Sequence, residues 1–362
     1  MSSENRLRAL NHFGQSVWLD FLSRGMLERG ELARLAAEDG VSGVTSNPAI
    51  FEKAIAGSSD YDAAIAALAR SGASSAAIYE KLTVEDVSRA ADVLRPAYDG
   101  SGGRDGLVSL EVSPHLADDT AGTVAEARHL WRLLDRPNVF IKVPGTRAGV
   151  PAIRTLIAEG ISVNVTLLFA VERYDAVAAA YLEGLEARAA QGGSIARVRS
   201  VASFFLSRID SLLDPKLPAD AAGTVAIASA KLAYRQYERQ IDSTRWRTLA
   251  AKGAQPQRLL WASTSTKNPA YSPVKYVEPL IGADTINTMP LETITAYRDL
   301  GRPASRLTDA MDAAATVIAS LPARGIDLAA ATDQLEREGV QKFVQPFDAL
   351  IAAIEKKRGA TG

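Results

Sequence analysis

The chain has 362 residues, 47% hydrophobic and 23% charged, which is typical of a globular protein large enough to bury a substantial core. Its 41 basic and 42 acidic residues nearly cancel, so its overall charge gives no attraction to nucleic acid or to an anionic membrane. The sequence contains no cysteine, which excludes disulfides, thiolate metal sites and cysteine nucleophiles.

The N-terminal sequence MSSENRLRALNHFGQ lacks the apolar core of a signal peptide, and no apolar stretch approaches the length of a membrane span. We therefore expect a cytoplasmic protein with no membrane or nucleic-acid partner. The histidines, His12, His115 and His129, show no metal-ligand spacing. A zinc-dependent site is therefore not expected, and no glycine-rich loop of the P-loop or dinucleotide kind is present.

Eight short β-branched runs alternate with longer segments of helical period. The predicted strands are residues 16–20, 43–46, 107–111, 139–143, 161–166, 197–203, 258–262 and 285–289. Several are apolar on both faces, which is typical of parallel strands covered by helices. Eight such strands with helical crossovers favour an α/β fold of the closed (β/α)₈ barrel type, a TIM barrel, over an open doubly wound sheet.

We predict a single domain, residues 1–362, because no linker or repeat interrupts the pattern. Two connections are longer than a minimal barrel needs. Residues 52–106, after the second strand, predict two or three helices that pack beside the barrel mouth. Residues 204–257, after the sixth strand, predict two more, and residues 300–362 predict C-terminal helices.

Local signals place some helix ends and faces. Thr123-x-x-Glu126 predicts a capping box at a helix start. The helix predicted over residues 149–159 is expected to end at Gly160. One face of the last helix is apolar and holds Phe343, Phe347, Leu350, Ile351 and Ile354.

In this fold the active site lies at the carboxyl ends of the strands. Those positions hold two carboxylates, a lysine, amides and several hydroxyls: Asp20, Thr45, Asn47, Glu111, Lys142, Asn164, Thr166, Ser203, residues 263–267 and Thr288. A purely structural barrel has no need for this set. We therefore predict an active site at the barrel mouth.

Lys142 interrupts the otherwise apolar strand Val139-Phe140-Ile141-Lys142-Val143. Burying a charged lysine is costly, so such a site favours the neutral amine, which can attack a ketone and form a Schiff base. The alternative is a structural salt bridge to Glu111 or Asp20. The strand pattern gives the two interpretations equal weight.

Asp20 and Glu111 each end an apolar strand. Aldol chemistry needs one group to move a hydroxyl proton and another to activate water, and two separate carboxylates meet those needs. For a lone strand-terminal Asp, capping of the next helix is the more frequent role. Arg208 and Lys267 follow hydroxyl-rich segments and could form a phosphate site, although each could equally be a surface cation.

Five motifs, in order along the chain between Asp20 and about Pro290, resemble those of the transaldolase family. They are Gly43-Val44-Thr45-Ser46-Asn47-Pro48, Ser109-Leu110-Glu111-Val112, Phe140-Ile141-Lys142-Val143-Pro144, Asn164-Val165-Thr166-Leu167-Leu168-Phe169 and Ser203-Phe204-Phe205-Leu206-Ser207-Arg208-Ile209. The resemblance implies that Lys142 forms the Schiff base and that Asp20 exchanges the proton of the substrate C4 hydroxyl. It also implies that Glu111 acts through a water that Thr166 positions.

The resemblance further implies that Asn47 and Ser203 hold the hydroxyls of a dihydroxyacetone unit. Arg208, with Ser265 and Lys267, would bind the substrate phosphate. Family members usually have Ser-x-Arg at the last of these positions, whereas this chain has Ser265-Thr266-Lys267. Lysine holds phosphate as a point charge, without the bidentate fork of arginine.

The implied reaction moves dihydroxyacetone from sedoheptulose 7-phosphate to glyceraldehyde 3-phosphate, giving erythrose 4-phosphate and fructose 6-phosphate, in the pentose phosphate pathway. No cofactor or metal is implied, and a monomer or homodimer is expected. The related fructose 6-phosphate aldolases tend to have tyrosine where this chain has Phe205 and glutamine where it has Glu111. A tyrosine could give a proton to release the three-carbon unit, whereas Phe205 cannot, which favours transfer. The alternatives are an aldolase of that kind and a non-catalytic sugar-phosphate-binding barrel.

Overall fold

The computed structural model describes residues 5–359. Its eight parallel strands form a closed barrel in chain order, each strand paired with the next and the last with the first. They are β1 (Gln15–Leu19), β2 (Val41–Val44), β3 (Leu107–Glu111), β4 (Val139–Pro144), β5 (Val163–Leu168), β6 (Ser200–Phe205), β7 (Arg258–Ala262) and β8 (Thr285–Met289). The predicted (β/α)₈ fold class is confirmed.

Helices surround this barrel. The α-helices of the described residues are α1 (Arg24–Glu28), α2 (Glu31–Asp39), α3 (Pro48–Ala56), α4 (Asp62–Arg70), α5 (Ser75–Gly100), α6 (Thr120–Leu134), α7 (Gly149–Glu159), α8 (Val171–Ala190), α9 (Ser207–Leu213), α10 (Val225–Ile241), α11 (Thr244–Ala250), α12 (Leu291–Leu300), α13 (Met311–Ser320) and α14 (Leu328–Gly359). Their apolar faces and both faces of the strands form one continuous buried core.

Three strand predictions, β3, β7 and β8, match the structure at both ends. β5 and β6 begin two and three residues later than predicted, respectively. The reason for β5 is that Gly160, at φ 88°, ends α7 in the left-handed conformation, so the chain needs residues 161–162 to turn into the strand. The predicted stop at Gly160 is thereby confirmed.

The predicted capping box at Thr123 and Glu126 is wrong. α6 begins one turn earlier, because the side chain of Asp119 accepts a hydrogen bond from a backbone N–H of the first turn. Thr123 lies inside the helix. The carboxylate of Glu126 instead accepts a hydrogen bond from the backbone N–H of Ser113, 3.0 Å away.

The two long connections differ in what they contribute. Residues 52–106 contain most of α3 and all of α4 and α5. Of these, α5 packs on β3 as an ordinary crossover helix, whereas Ile50 and Lys53 of α3 line the cavity at the barrel mouth. Residues 204–257 contain α9, α10 and α11, three helices rather than the predicted two, because the short α9 begins directly after β6.

α14 lies across the end of the barrel where the strands terminate. It contacts α3, α4, α5, α9 and β5, so it spans from the early insertion to the middle of the sheet. Among residues 5–359, no helix combines the length and the apolar character that a membrane crossing requires.

The opposite end of the barrel is closed by a buried ion pair. Asp105 lies 3.3 Å from a guanidinium nitrogen of Arg258, which is 5% exposed. The same carboxylate accepts hydrogen bonds from the hydroxyl of Ser16 at 2.8 Å and from the indole of Trp18 at 3.1 Å. The ion pair thus ties β1, β7 and the start of β3 together at the end of the barrel away from the mouth. In this fold, residues at that end usually serve stability and not catalysis.

Candidate active site

A cavity of about 470 Å³ opens at the carboxyl ends of the strands. The predicted site residues that line it are Asp20, Asn47, Lys142, Ser203, Arg208, Ser265 and Lys267. Glu111 and Thr166 do not line it; both are buried within the barrel wall, at 5% and 0% exposure. The structure therefore brings seven of the nine residues to one opening and places the other two inside the barrel.

Lys142 is 4% exposed, and its ammonium donates a hydrogen bond to the backbone carbonyl of Ser46 at 3.1 Å. The same Nζ lies 3.4 Å from Oε2 of Glu111. The ring of Phe343 faces it, with 5.7 Å between Nζ and the ring centroid. Lys142 can therefore be both a Schiff-base nucleophile and a member of a salt bridge, because its buried amine lies at the cavity and also has Glu111 as an ion-pair partner.

Burial raises the pKa of Glu111 from 4.5 to about 7, and the nearby charge of Lys142 opposes that rise. Neither carboxylate oxygen of Glu111 has a hydrogen-bond partner among the described residues, and the hydroxyl of Thr166 has none either. Buried polar atoms without partners are uncommon and often belong to functional sites. Glu111 can therefore exchange a proton near neutral pH.

Asp20 accepts a hydrogen bond from the hydroxyl of Thr45, 2.7 Å away, and that hydroxyl lies 2.7 Å from the hydroxyl of Thr288. Burial raises the pKa of Asp20, whereas Lys142 and the Thr45 hydrogen bond lower it. The helix-cap interpretation of Asp20 is wrong, because Ser23 caps the helix that follows. Asp20 instead has its carboxylate at the cavity, beside the lysine.

Two polar side chains lie beside the lysine with fixed orientations. Asn47 caps α3, and its side-chain oxygen accepts from the backbone N–H of Ile50 at 3.0 Å, so its amide nitrogen is left to donate. The hydroxyl of Ser203 donates to the side-chain oxygen of Asn164 at 2.7 Å. The amide nitrogen of Asn164 in turn donates to Ser109 at 3.0 Å. Ser203 can therefore accept a hydrogen bond from a ligand hydroxyl.

Cations gather at the outer part of the cavity. The guanidinium of Arg208 lies 5.4 Å from the ring centroid of Phe205, and burial lowers its pKa. The ammonium of Lys267 donates to the hydroxyl of Ser265, and its pKa is lowered by partial burial and by the charge of Arg208. Lys53 of α3 adds a third positive charge. This arrangement can hold a phosphate group.

The loop that carries Ser265 and Lys267 begins with a backbone strained at Ser263, whose φ is 54°. Ser207 holds this conformation, because its backbone N–H and its hydroxyl both donate to the carbonyl of Ser263, at 3.1 and 2.7 Å. The position of the loop is thus fixed by the start of α9, which also carries Arg208.

Sequence reasoning missed Phe343 and Lys53 as cavity residues. The helical period around Phe343 predicted a buried face, which is correct, but it could not show which part of the barrel that face covers. His115 and His129 do not line the cavity: His115 contacts Asp348 and His129 contacts Glu80. Within residues 5–359, no group of three or more His, Asp or Glu side chains is arranged to hold a metal ion.

Known proteins resemble this chain over nearly its whole length. The family model described as transaldolase/fructose-6-phosphate aldolase matches residues 17–354. A protein of Nostoc punctiforme named transaldolase 2 is 49% identical over 98% of both chains. The transaldolase of Thiobacillus denitrificans is 48% identical over 97% of this chain and 99% of its own, and that of Frankia alni is 47% identical over 99% of both. The chain therefore belongs to the transaldolase/fructose-6-phosphate aldolase family.

Proposed function

We propose that the chain is a transaldolase. It transfers a dihydroxyacetone unit from sedoheptulose 7-phosphate to glyceraldehyde 3-phosphate, giving erythrose 4-phosphate and fructose 6-phosphate, a reaction of the pentose phosphate pathway. The observation that carries the proposal is the buried amine of Lys142 at the carboxyl ends of the strands. This amine forms an ion pair with Glu111, and its charge also acts on Asp20.

In the first step the neutral amine of Lys142 attacks C2 of the ketose. A water molecule leaves, and a protonated imine remains. Glu111 supports this step because its pKa near 7 lets it give a proton to the departing hydroxyl and later take one from the attacking water. Thr166 has a buried hydroxyl without a partner and is suited to orient that water.

The second step breaks the bond between C3 and C4. Asp20 takes the proton of the C4 hydroxyl, the aldose phosphate leaves, and the electron pair of the broken bond is delocalised into the imine. The hydrogen bond from Thr45 holds the Asp20 carboxylate in one orientation for this transfer. In the reverse direction Asp20 returns the proton when the acceptor aldehyde adds to C3.

The substrate phosphate is assigned to Arg208, Ser265 and Lys267, with Lys53 contributing a further positive charge at the cavity. Lys267 fills the place where the family usually has arginine. Because an ammonium is a point charge, the pair of cations Arg208 and Lys267 gives one planar and one flexible contact to the phosphate.

Phe205 favours transfer over simple cleavage. Its ring lines the cavity and packs on Phe169, with 5.3 Å between the centroids, and it carries no hydroxyl that could protonate the three-carbon intermediate. The aldolase alternative needs such a proton donor. The non-catalytic alternative predicts that Lys142 is dispensable, which does not account for its burial beside two carboxylates.

Borohydride trapping with fructose 6-phosphate, followed by peptide mass mapping, tests the proposal. The expected result is a three-carbon adduct on Lys142 that disappears in Lys142→Ala and persists in Lys275→Ala, a lysine that stacks on Tyr271 and does not line the cavity. An adduct on another lysine, or none, would refute the mechanism. Complete ketose cleavage without added aldehyde would favour the aldolase alternative.

A further inference from the structure

Two tyrosines of the connection that follows β7 bond to two aspartates on and beside α9. The hydroxyl of Tyr276 donates to Asp210 at 2.9 Å, and that of Tyr271 donates to Asp214 at 2.7 Å. Asp210 lies within α9, and Asp214 directly follows the helix, one turn further along the chain. Together these two hydrogen bonds form what we term the α9 clamp. They join the connection after β7 to a helix that follows β6.

The bond between Tyr276 and Asp210 is the buried half of the α9 clamp. The two residues are 2% and 1% exposed. The carboxylate also accepts a hydrogen bond from the backbone N–H of Ala226 at 2.8 Å, in the first turn of α10. Burial raises the pKa of Asp210 to about 6, so at neutral pH the phenol donates to an ionised acceptor. Such a charge-assisted hydrogen bond is roughly twice as strong as a neutral one.

The α9 clamp joins the two elements that carry the phosphate cations. Arg208 lies in the first turn of α9, two residues before Asp210, and Lys267 lies on the connection that carries both tyrosines. Burial and the charge of Arg208 both lower the pKa of Lys267, so the two cations repel each other. Like charges on separate elements favour a wider spacing until an anion lies between them. The α9 clamp opposes that separation.

Lys267 borders a second cavity. Besides the active-site cavity, it lines one of about 230 Å³ whose walls also include Tyr271 and Tyr276. Its side chain therefore has space on two sides. The connection is fixed at Ser263, but that residue lies four positions before Lys267. The distance of the ammonium from α9 thus depends on the contacts that hold the rest of the connection, and the α9 clamp supplies two of them.

We propose that the α9 clamp holds Lys267 at the distance from Arg208 that one phosphate group spans. Its four residues are positioning residues, because none of them lines the active-site cavity and they act through the two cations. With the spacing set in advance, phosphate binding does not also have to draw the connection towards α9, which would lower its affinity. This inference rests on the proposed function, which assigns the two cations to the substrate phosphate.

Binding of inorganic phosphate, measured by isothermal titration calorimetry, tests the spacing without any catalysis. Tyr276→Phe keeps the ring and removes the hydrogen bond, so it should raise the dissociation constant for phosphate about fivefold. Tyr181→Phe is the matched control. The Tyr181 side chain is also buried, but its phenol donates to the backbone carbonyl of Gln255, before β7, and it does not line the cavity. It should leave the dissociation constant unchanged.

Kinetics then separate a positioning role from a general loss of structure. Fructose 6-phosphate and fructose give the same three-carbon adduct on Lys142, so borohydride trapping measures both donors in one assay. Tyr276→Phe should raise the half-saturating concentration of fructose 6-phosphate about fivefold and change the maximal rate less than about twofold. The rate with fructose should stay unchanged, because fructose has no phosphate to hold.

An unchanged phosphate affinity in folded Tyr276→Phe would overturn the inference, as would an equal loss with fructose or in Tyr181→Phe. If Tyr276→Phe fails to fold, Tyr271→Phe removes the half-buried bond of the α9 clamp and must weaken phosphate binding for the inference to stand. Lys275 stacks on Tyr271 but takes part in neither hydrogen bond, so Lys275→Ala leaves the α9 clamp in place. Failure of the proposed function is seen separately, as a wild type that binds phosphate but forms no adduct on Lys142.

Discussion

Glu111 and Lys142 face each other across the register of two neighbouring strands, with 3.4 Å between carboxylate oxygen and ammonium and side-chain exposures of 3% and 4%. A buried ion pair of this kind contributes little net stability, because desolvation offsets most of the attraction. Apart from Lys142, no polar group among residues 5–359 stabilises the charge of this carboxylate. The pair is therefore better explained by chemistry than by folding.

The first prediction concerns the pH dependence of kcat. Glu111, whose pKa is raised to about 7, must be protonated to help form the imine and ionised to help hydrolyse it, so kcat should be highest near neutral pH and fall on both sides. Glu111→Gln should lower kcat by about 100-fold or more and remove both limbs. The control is Glu126→Gln, since burial also raises the pKa of Glu126, whose carboxylate accepts a hydrogen bond from the backbone of Ser113 instead of pairing with Lys142. A limb that survives in Glu111→Gln would assign the ionisation to another group.

The second prediction separates imine formation from bond cleavage. Asp20→Asn should still form a Schiff base on Lys142 but cleave C3–C4 at least about 100-fold more slowly. Borohydride should then trap the intact six-carbon substrate rather than the three-carbon fragment. Thr45→Val, which removes the 2.7 Å hydrogen bond to Asp20, should lower kcat by roughly 10-fold. A three-carbon adduct forming at the normal rate in Asp20→Asn would contradict the role of Asp20.

The third prediction tests the phosphate contacts. Lys267→Ala should lower kcat/KM for phosphorylated donors by about 10- to 100-fold, the range of a lost charge-assisted hydrogen bond, and leave unphosphorylated donors unaffected. Lys267→Arg should retain activity because it restores charge and adds the fork. Lys275→Ala is the control on the same connection, because this lysine stacks on Tyr271 instead. Equal losses for both donor classes would show that Lys267 acts on the fold and not on phosphate.

The fourth prediction concerns stability at the closed end of the barrel. Asp105→Ala leaves Arg258 buried without its partner, which should lower the free energy of unfolding by about 3 kcal/mol. Asp99→Ala removes an exposed pair with Arg95 and should cost under about 1 kcal/mol. Urea denaturation measures both. The kcat of folded Asp105→Ala should equal that of the wild type. A lower kcat in the folded variant would show that this end of the barrel affects the active site.

Much of the barrel could be predicted because its signals are local. The strands at 107–111, 258–262 and 285–289 are short apolar runs between clear breaks, and their bounds match the structure. The start of α6 was mispredicted because two residues competed for one role. Asp119 and Thr123 both suit a helix cap, and only the preceding turn decides between them.

The candidate site was predictable where residues end strands, since the fold itself brings those ends together. Lys142, Glu111 and Asp20 were found in this way. Phe343 was not, because its place depends on how α14 crosses the barrel, a contact between segments far apart in the chain. Lys53 was missed for the same reason, since an exposed lysine on a helix carries no signal of a nearby cavity.

The position of α14 has a consequence for the order in which the protein is made. All eight strands are synthesised before this helix, so the barrel can close while the residues that cover Lys142 are still unmade. A chain lacking residues 328–359 would leave Lys142 without the aromatic ring that faces it. Arrival of the last helix therefore completes the wall of the cavity only after every strand has been made.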